Sequence, residues 1–283
     1  VMMKGLNKYF EWFVLLLCTA IVLLFLGIII FDIVVKGSGA FSWDFISTSP
    51  KKAMTEGGIL PAIIGTVILT LLTALFCIPF GVACAIYLNE YAKENYLTKT
   101  IRASIRNLSG IPSIIYGLFG LALFVQGLNL GTSMLSAGLT LGLLSLPYII
   151  TTTEEALRRI PNSTREAALG VGATQFESIK DVVLPSALPG ILTGVVLTLS
   201  RAAGETAPIL FTGVAFFITG KTGNVNQEFM ALPYHLYMLS TQHQAVEQVR
   251  PLAYGTALVL IMVVFLLSLT AFYIRYKYSK NGK

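Results

Sequence analysis

Charge is scarce in this chain. Only 12% of its 283 residues are Asp, Glu, Lys or Arg, against about 25% in a soluble domain. Hydrophobic residues make up 55% and the mean hydropathy is +0.75. That balance excludes a water-soluble globular enzyme and fits an all-α polytopic membrane protein. Histidine is limited to two residues and cysteine to three. Cys18, Cys77 and Cys84 lie in apolar runs and read as small buried hydrophobes. His235 and His243 have neither metal nor dyad spacing, so no metal site and no catalytic residue is expected. Both are expected on solvated or docking surface. The phosphate-loop pattern G-x-x-x-x-G-K-[ST] does not occur, so no nucleotide-binding loop of that kind is expected in this chain. There is no low-complexity tract, no short-period repeat and no stretch with a soluble domain's composition. The net charge of +6 is no nucleic-acid signal, because the basic residues flank apolar runs.

What is present is a series of those runs. About 20 apolar residues cross a bilayer's hydrocarbon core. Val14–Val35 meets that length and, being too long for a signal-peptide core, is expected to be a retained span. Ile59–Leu88 follows, bent by Pro79 and Gly81. Ile111–Gln126 and Ser133–Ile150 are shorter. Pro189–Ile218 and Leu252–Ile274 complete six spans. Trp43 and Phe45 suit a membrane interface.

The basic residues sort by side. Lys4, Lys8, Lys93, Lys99, Arg102, Arg106, Arg158, Arg159, Arg165, Lys180, Arg275, Lys277, Lys280 and Lys283 flank one set of span ends. Lys36, Lys51, Lys52, Lys221 and Arg250 flank the other. The positive-inside bias then puts both termini and the 89–110 and 151–188 intervals in the cytoplasm, and the 36–58 and 219–251 loops outside. The basic tail is expected to anchor the last helix at the headgroups.

One basic residue, Arg201, falls inside a span, about 16 Å from its start at helical rise. Glu205 is four residues on, where a helix brings side chains together. Pro208 cannot donate to the carbonyl of Gly204, which is expected to leave that acceptor free and bend the helix. A buried pair of this kind has to face protein or a water-filled path. Two readings stand side by side: a self-neutralising structural lock, or a cationic point on an anion path, since the guanidinium fork matches phosphate oxyanions.

The interval Asn162–Pro185 is polar but patterned. Ser163 with Glu166, and Thr174 with Glu177, match the capping-box spacing. Two short helices are expected, Thr164–Leu169 and Gln175–Val183, joined through Gly170–Gly172 and closed by Pro185. Two capped helices between spans suggest a docking surface.

The residues Glu166-Ala167-Ala168, then Gly172, Val182 and Leu184-Pro185 resemble the EAA loop of binding-protein-dependent ABC importer permeases, with Val where Ile is usual. The run Arg201–Pro208 is similar to the R-A-x-G-E-T-A-P signature of the membrane subunits of bacterial phosphate-specific transport. Pro79–Ala92 resembles a further segment of those subunits, and Met230–Tyr237 their A-type. The resemblance spans roughly residues 40–275. It implies a MetI-like type I importer permease with six transmembrane helices, N-in and C-in, in the bacterial cytoplasmic membrane. Its parts would be a helix and external segment (1–58), a permease core (59–275) carrying the 151–188 loop, and a tail (276–283). The loop would couple to the ATPase through Glu166, Ala167, Ala168, Gly172, Leu184 and Pro185. Arg201, Gly204, Glu205 and Pro208 would line the phosphate path. The implied partners are a C-type permease, two ATPase subunits that bind the ATP and Mg, and an extracytoplasmic phosphate-binding protein; this chain would carry no cofactor. Another anion such as sulfate, or a secondary transporter or channel with an Arg–Glu relay, are the alternatives.

Overall fold

The computed structural model describes residues 2–218 and 223–281. Lys221 and Lys283, and the first residues of the 219–251 loop, fall outside the described residues. The chain is helical almost throughout. Helix α1 (Met2–Ser38) is followed by a short α2 (Trp43–Ser47) and a two-residue hairpin pairing β1 (Pro50–Lys51) with β2 (Glu56–Gly57). Helix α3 (Leu60–Ile86) continues as a π-helical turn to Tyr91. Then come α4 (Tyr96–Leu108), α5 (Ser113–Gly120) with a π-helical extension to Gly127, and α6 (Met134–Arg158).

The third crossing departs from expectation. In place of one helix over Ile111–Gln126, α4 and α5 meet at 102°. Their contacts still carry the chain across. Near one end of α6, Arg102 Nε lies 2.7 Å from Glu154 Oε1. Tyr148 donates to the Ser109 carbonyl at 2.9 Å, and Ser136 donates to the Gly131 carbonyl at 2.8 Å near the other end. The segment therefore travels the length of α6. With it the described helices make six crossings, and the first and last described residues lie at one end, the basic end of the bundle.

Helix α6 is the centre, two-thirds buried over its most apolar stretch. Packed helices approach closely where one of them lacks a side chain. A Cβ on Gly142 would sit 2.4 Å from Phe76 of α3, and one on Gly120 2.1 Å from Thr140. By contrast α1 is unburied from Phe10 onward until its last turns reach the final helix α12 (Val246–Asn281), at Gly37 against Tyr254. A helix apolar on every side and covered on none is what lipid surrounds.

Far from the basic end, a cluster of Phe45, Met54, Ile59, Met230, Leu232, Leu239 and Val249 closes the bundle. Phe45 is therefore core, whereas Trp43 is exposed as an interfacial residue should be. Helix α11 (Leu232–Tyr237) lies in this cap, its first amide donating to Thr66 Oγ1 at 2.8 Å. His235 belongs to α11 and is only 4% exposed, with no partner for Nδ1 among the described residues. The expectation of a solvated histidine fails because α11 is packed into the cap between α3 and α12.

Burial pushes the His235 imidazole down to about 4 from its ordinary 6.5. It stays neutral when folded, and above pH 6.5 it adds no pH dependence. Between pH 6.5 and 4 the unfolded cap takes up a proton that the folded one refuses, so stability falls with pH, by about 3 kcal/mol in all. The melting temperature of the wild type should drop more between pH 7 and 4.5 than that of His235→Leu. Equal drops would show that other groups carry the acid response.

Candidate functional site

After α6 the polar interval folds into α7 (Asn162–Gly170) and α8 (Gln175–Glu177), and α8 runs on through a π-helical turn, Ser178–Val183, into α9 (Leu184–Ala202). The Thr174–Glu177 capping box forms: the Glu177 amide donates to Thr174 Oγ1 at 3.3 Å, and Glu177 Oε2 accepts from the Thr174 amide at 2.8 Å. The Ser163–Glu166 box does not, because α7 starts two residues earlier behind Pro161, and Pro161 has no side-chain acceptor. Pro185 does not close a helix. It lies inside a continuous helical run, where the π-helical turn Ser178–Val183 passes into α9. Gly172 has φ +93, with open space where a Cβ would point.

The loop's outer surface is apolar. Leu169, Val171 and Phe176 are exposed, Val171 to 87%. Glu166, Ala167 and Pro185 are exposed beside them, Leu184 is half-buried and Ala168 packs inward. The inner surface is pinned to the end of α3. Arg165 donates to Glu90 from Nε at 3.0 Å and from Nη2 at 2.7 Å, and to the Ile160 and Leu157 carbonyls. Its hydrogen bond to Glu90 raises the guanidinium's already high pKa. Gln175 donates to the Glu90 carbonyl at 2.8 Å. Alongside, Arg102 pairs with Glu154 and Glu94 and donates to the Leu88 carbonyl. Glu90, Arg102 and Arg165 stand in the sequence as a motif residue and two basic flanks. Their pairing joins positions 75 residues apart, which no local pattern announces.

The fifth crossing differs most from expectation. The helix that carries Arg201 ends at Ala202. The chain then turns through Ala203–Thr206, forms one turn, α10 (Ala207–Leu210), and reaches Ser133, whose amide donates to the Thr212 carbonyl at 3.0 Å. Pro208 therefore does not kink a running helix. It starts α10 and is buried against Gly117 of α5, where a Cβ would meet its Cα at 3.0 Å. Gly204 is exposed at the break.

Arg201 Nε donates to Glu205 Oε1 at 3.1 Å, and its guanidinium lies 4.6 Å from the centre of the Tyr148 ring. Tyr148 is about 15 Å along α6 from Arg158 and about 21 Å from Met134, so the pair sits near mid-depth. The Arg201 side chain is 50% exposed and that of Glu205 16%. The space enclosed among Ser145, Tyr148, Thr198, Arg201 and Glu205 is about 10 Å³, room for one water. Helix α9 thus presents its carbonyl end at mid-depth with a cation on it, which the helix dipole favours. Tyr148 went unnoticed in the sequence because only the packing of α6 on α9 brings it beneath Arg201.

A broken span with an ion pair at the break, and a capped loop at one end of the bundle, define a polytopic membrane transport component. The chain belongs to a family described as the binding-protein-dependent transport system inner membrane component, whose model matches residues 77–277. It is 32% identical over 266 residues to a probable ABC transporter permease protein, YqgI, of Bacillus subtilis, covering 90% of each chain. It is 36% identical over 236 residues to the phosphate transport system permease protein PstA of Xylella fastidiosa, covering 83% of this chain and 81% of that one. Among solved structures, a chain of the inward-facing methionine ABC transporter MetNI superposes with a TM-score of 0.63 at 20% identity, over 78% of this chain and 95% of that one. A chain of a bacterial alginate ABC transporter does so with 0.64 at 15% identity, over 95% and 94%. The fold is the MetI-like type I ABC permease fold.

Glu90→Gln leaves the Arg165 charge without its partner in a mostly buried setting, at a local cost of about 3 kcal/mol. Limited proteolysis should cut within 162–177 faster in this variant than in wild type while the spans stay protected. An unchanged cleavage rate would mean that the loop is held without the pair.

Proposed function

We propose that this chain is a permease subunit of an ATP-driven ABC importer that moves inorganic phosphate into the cell. The observation that carries the reading is the Arg201–Glu205 pair, exposed on one side at mid-depth, within a run similar to that of phosphate permeases. Phosphate at neutral pH keeps a proton, and sulfate does not. An ionised Glu205 accepts hydrogen bonds only, so it takes the P–OH while Arg201 pairs with the oxyanions. Sulfate would place an unprotonated oxygen there and be rejected. In the state described the two side chains hold each other, and the space they enclose against Tyr148 has room for one water, so the anion is met on the exposed side of Arg201.

The exposed half of Arg201 is closed by a second permease of the C type. The loop's apolar knobs, Val171 and Phe176, with Glu166, Ala167, Ala168, Gly172, Leu184 and Pro185, seat one of two ATPase subunits, which bind the ATP and Mg. An extracytoplasmic phosphate-binding protein delivers to the far end. The basic end faces the cytoplasm, and the complex sits in the bacterial cytoplasmic membrane. This chain supplies the path and performs no covalent chemistry.

Two experiments test the reading. In reconstituted complexes with a binding-protein-independent variant, Arg201→Ala should abolish phosphate uptake with assembly intact, and Glu205→Gln should narrow the preference over sulfate. An unchanged ratio in Glu205→Gln removes the selectivity claim, and failure of Arg201→Ala to assemble favours a structural lock. Gly172→Val forces a β-branched residue into a positive φ, at a cost of about 1–2 kcal/mol. It should reshape the loop and uncouple ATP hydrolysis from uptake. Wild-type transport by this variant would reduce the loop to a connection.

A further inference from the structure

The seam between α6 and α9 continues from Arg201 toward the basic end. The helices are antiparallel and in close register. Arg201 lies over Tyr148. One and two turns further along α6, a Cβ on Gly194 would fall 2.2 Å from Thr152 Oγ1, and one on Gly190 would fall 2.8 Å from the Ala156 Cβ. Beside these contacts the seam opens into a cleft of about 320 Å³ whose polar lining is Thr152, Glu155, Arg159, Thr193 and Arg275. Arg275 enters from α12, its Nη1 donating to Thr193 Oγ1 at 3.1 Å.

We propose that this cleft is a second oxyanion station, which takes phosphate as it leaves the Arg201 site. The proposal rests on the anion-path reading of Arg201 and extends it. Both stations combine guanidinium, hydroxyl and one carboxylate; α6 and α9 line both, with Glu205 added from the break above and Arg275 from α12 below. From Arg201 to Thr193 the chain runs eight residues along α9, about 12 Å, and from Tyr148 to Glu155 seven residues along α6, about 10 Å. Their balance differs. One Arg faces one Glu at the upper station, and two Arg face one Glu at the lower. The field along the seam therefore draws an anion toward the basic end. Glu155 points to the same ligand as Glu205 does. A protonated phosphate offers it a donor, whereas the phosphodiester of a lipid headgroup carries no proton and meets it acceptor to acceptor. An apolar groove between α9 and α12 shares Thr193, Leu197 and Arg275 with the cleft, so a headgroup is the other source of the same chemistry, and the experiment separates the two.

The test uses the assembled complex in vesicles. Arg159→Gln with Arg275→Gln should lower phosphate uptake about tenfold or more, the loss expected for removed charge-assisted hydrogen bonds, with ATP hydrolysis retained. The paired Lys variants should restore most of the uptake. Uptake by the double Gln variant within about twofold of wild type overturns the station. If wild-type uptake falls to the double Gln level in vesicles lacking anionic lipid, the cleft holds a headgroup and the proposal is equally overturned. A readout independent of the arginines is Thr193→Cys in a background free of Cys18, Cys77 and Cys84. Phosphate, but not chloride, should slow its thiol modification, and no protection refutes the site. Loss of uptake in Arg201→Ala with normal uptake in the double Gln variant removes this inference alone. Normal uptake in Arg201→Ala removes the reading beneath it.

Discussion

A bilayer offers no water to an unpaired backbone group, so a chain that leaves helical structure at mid-depth must satisfy itself with protein or open onto a wet path. The fifth crossing does this at Ala203–Thr206. Much of the surrounding structure answers that constraint. Gly117 lets α5 close over Pro208, the Ser133 amide takes the Thr212 carbonyl, and Arg201 sits on the carbonyl end of α9. On insertion scales an Arg at the centre of a span costs about 2.5–3.5 kcal/mol. Here the helix dipole, Glu205 and the Tyr148 face offset that cost together. The ion pair is thus a condition of the break as well as the candidate binding point.

At the basic end the bundle is made stiff by charge. Glu90 ties α3 to α7 through Arg165, and Glu154 ties α6 to α4 through Arg102. Both carboxylates are largely covered, so each pair depends on both partners being present. The apolar residues facing away from this framework, Val171 and Phe176 above all, then form a presented surface of fixed position.

The crossings were legible because hydropathy reports them directly: four of the six expected spans coincide with long apolar helices, and the charge sorting agrees with six crossings. The Thr174–Glu177 cap and the turn at Gly172 were legible because their chemistry is local. What failed was the detail of breaks and starts. Pro185 reads as a helix stop and Pro208 as a kink, yet Pro185 lies within the continuous helix Gln175–Ala202 and Pro208 begins a new turn. Third and fifth spans looked continuous because mid-depth irregular backbone stays apolar when protein covers it. Tyr148, the Glu90–Arg165 pair and the Arg159–Arg275 cleft come from helices packed at long sequence separation, and their residue types alone did not announce them.

The docking loop and the ion pair are the two ends of one object. From Gln175 to Ala202 the helix is continuous over 28 residues, about 42 Å at standard rise. A tilt of about 5° around its midpoint carries each end about 2 Å. The Arg201–Glu205 bond is 3.1 Å long, and a shift of that size breaks it. The span is a beam with a latch at its tip, and the smallest motion that matters to the latch is one that a partner gripping the other end can supply without bending anything.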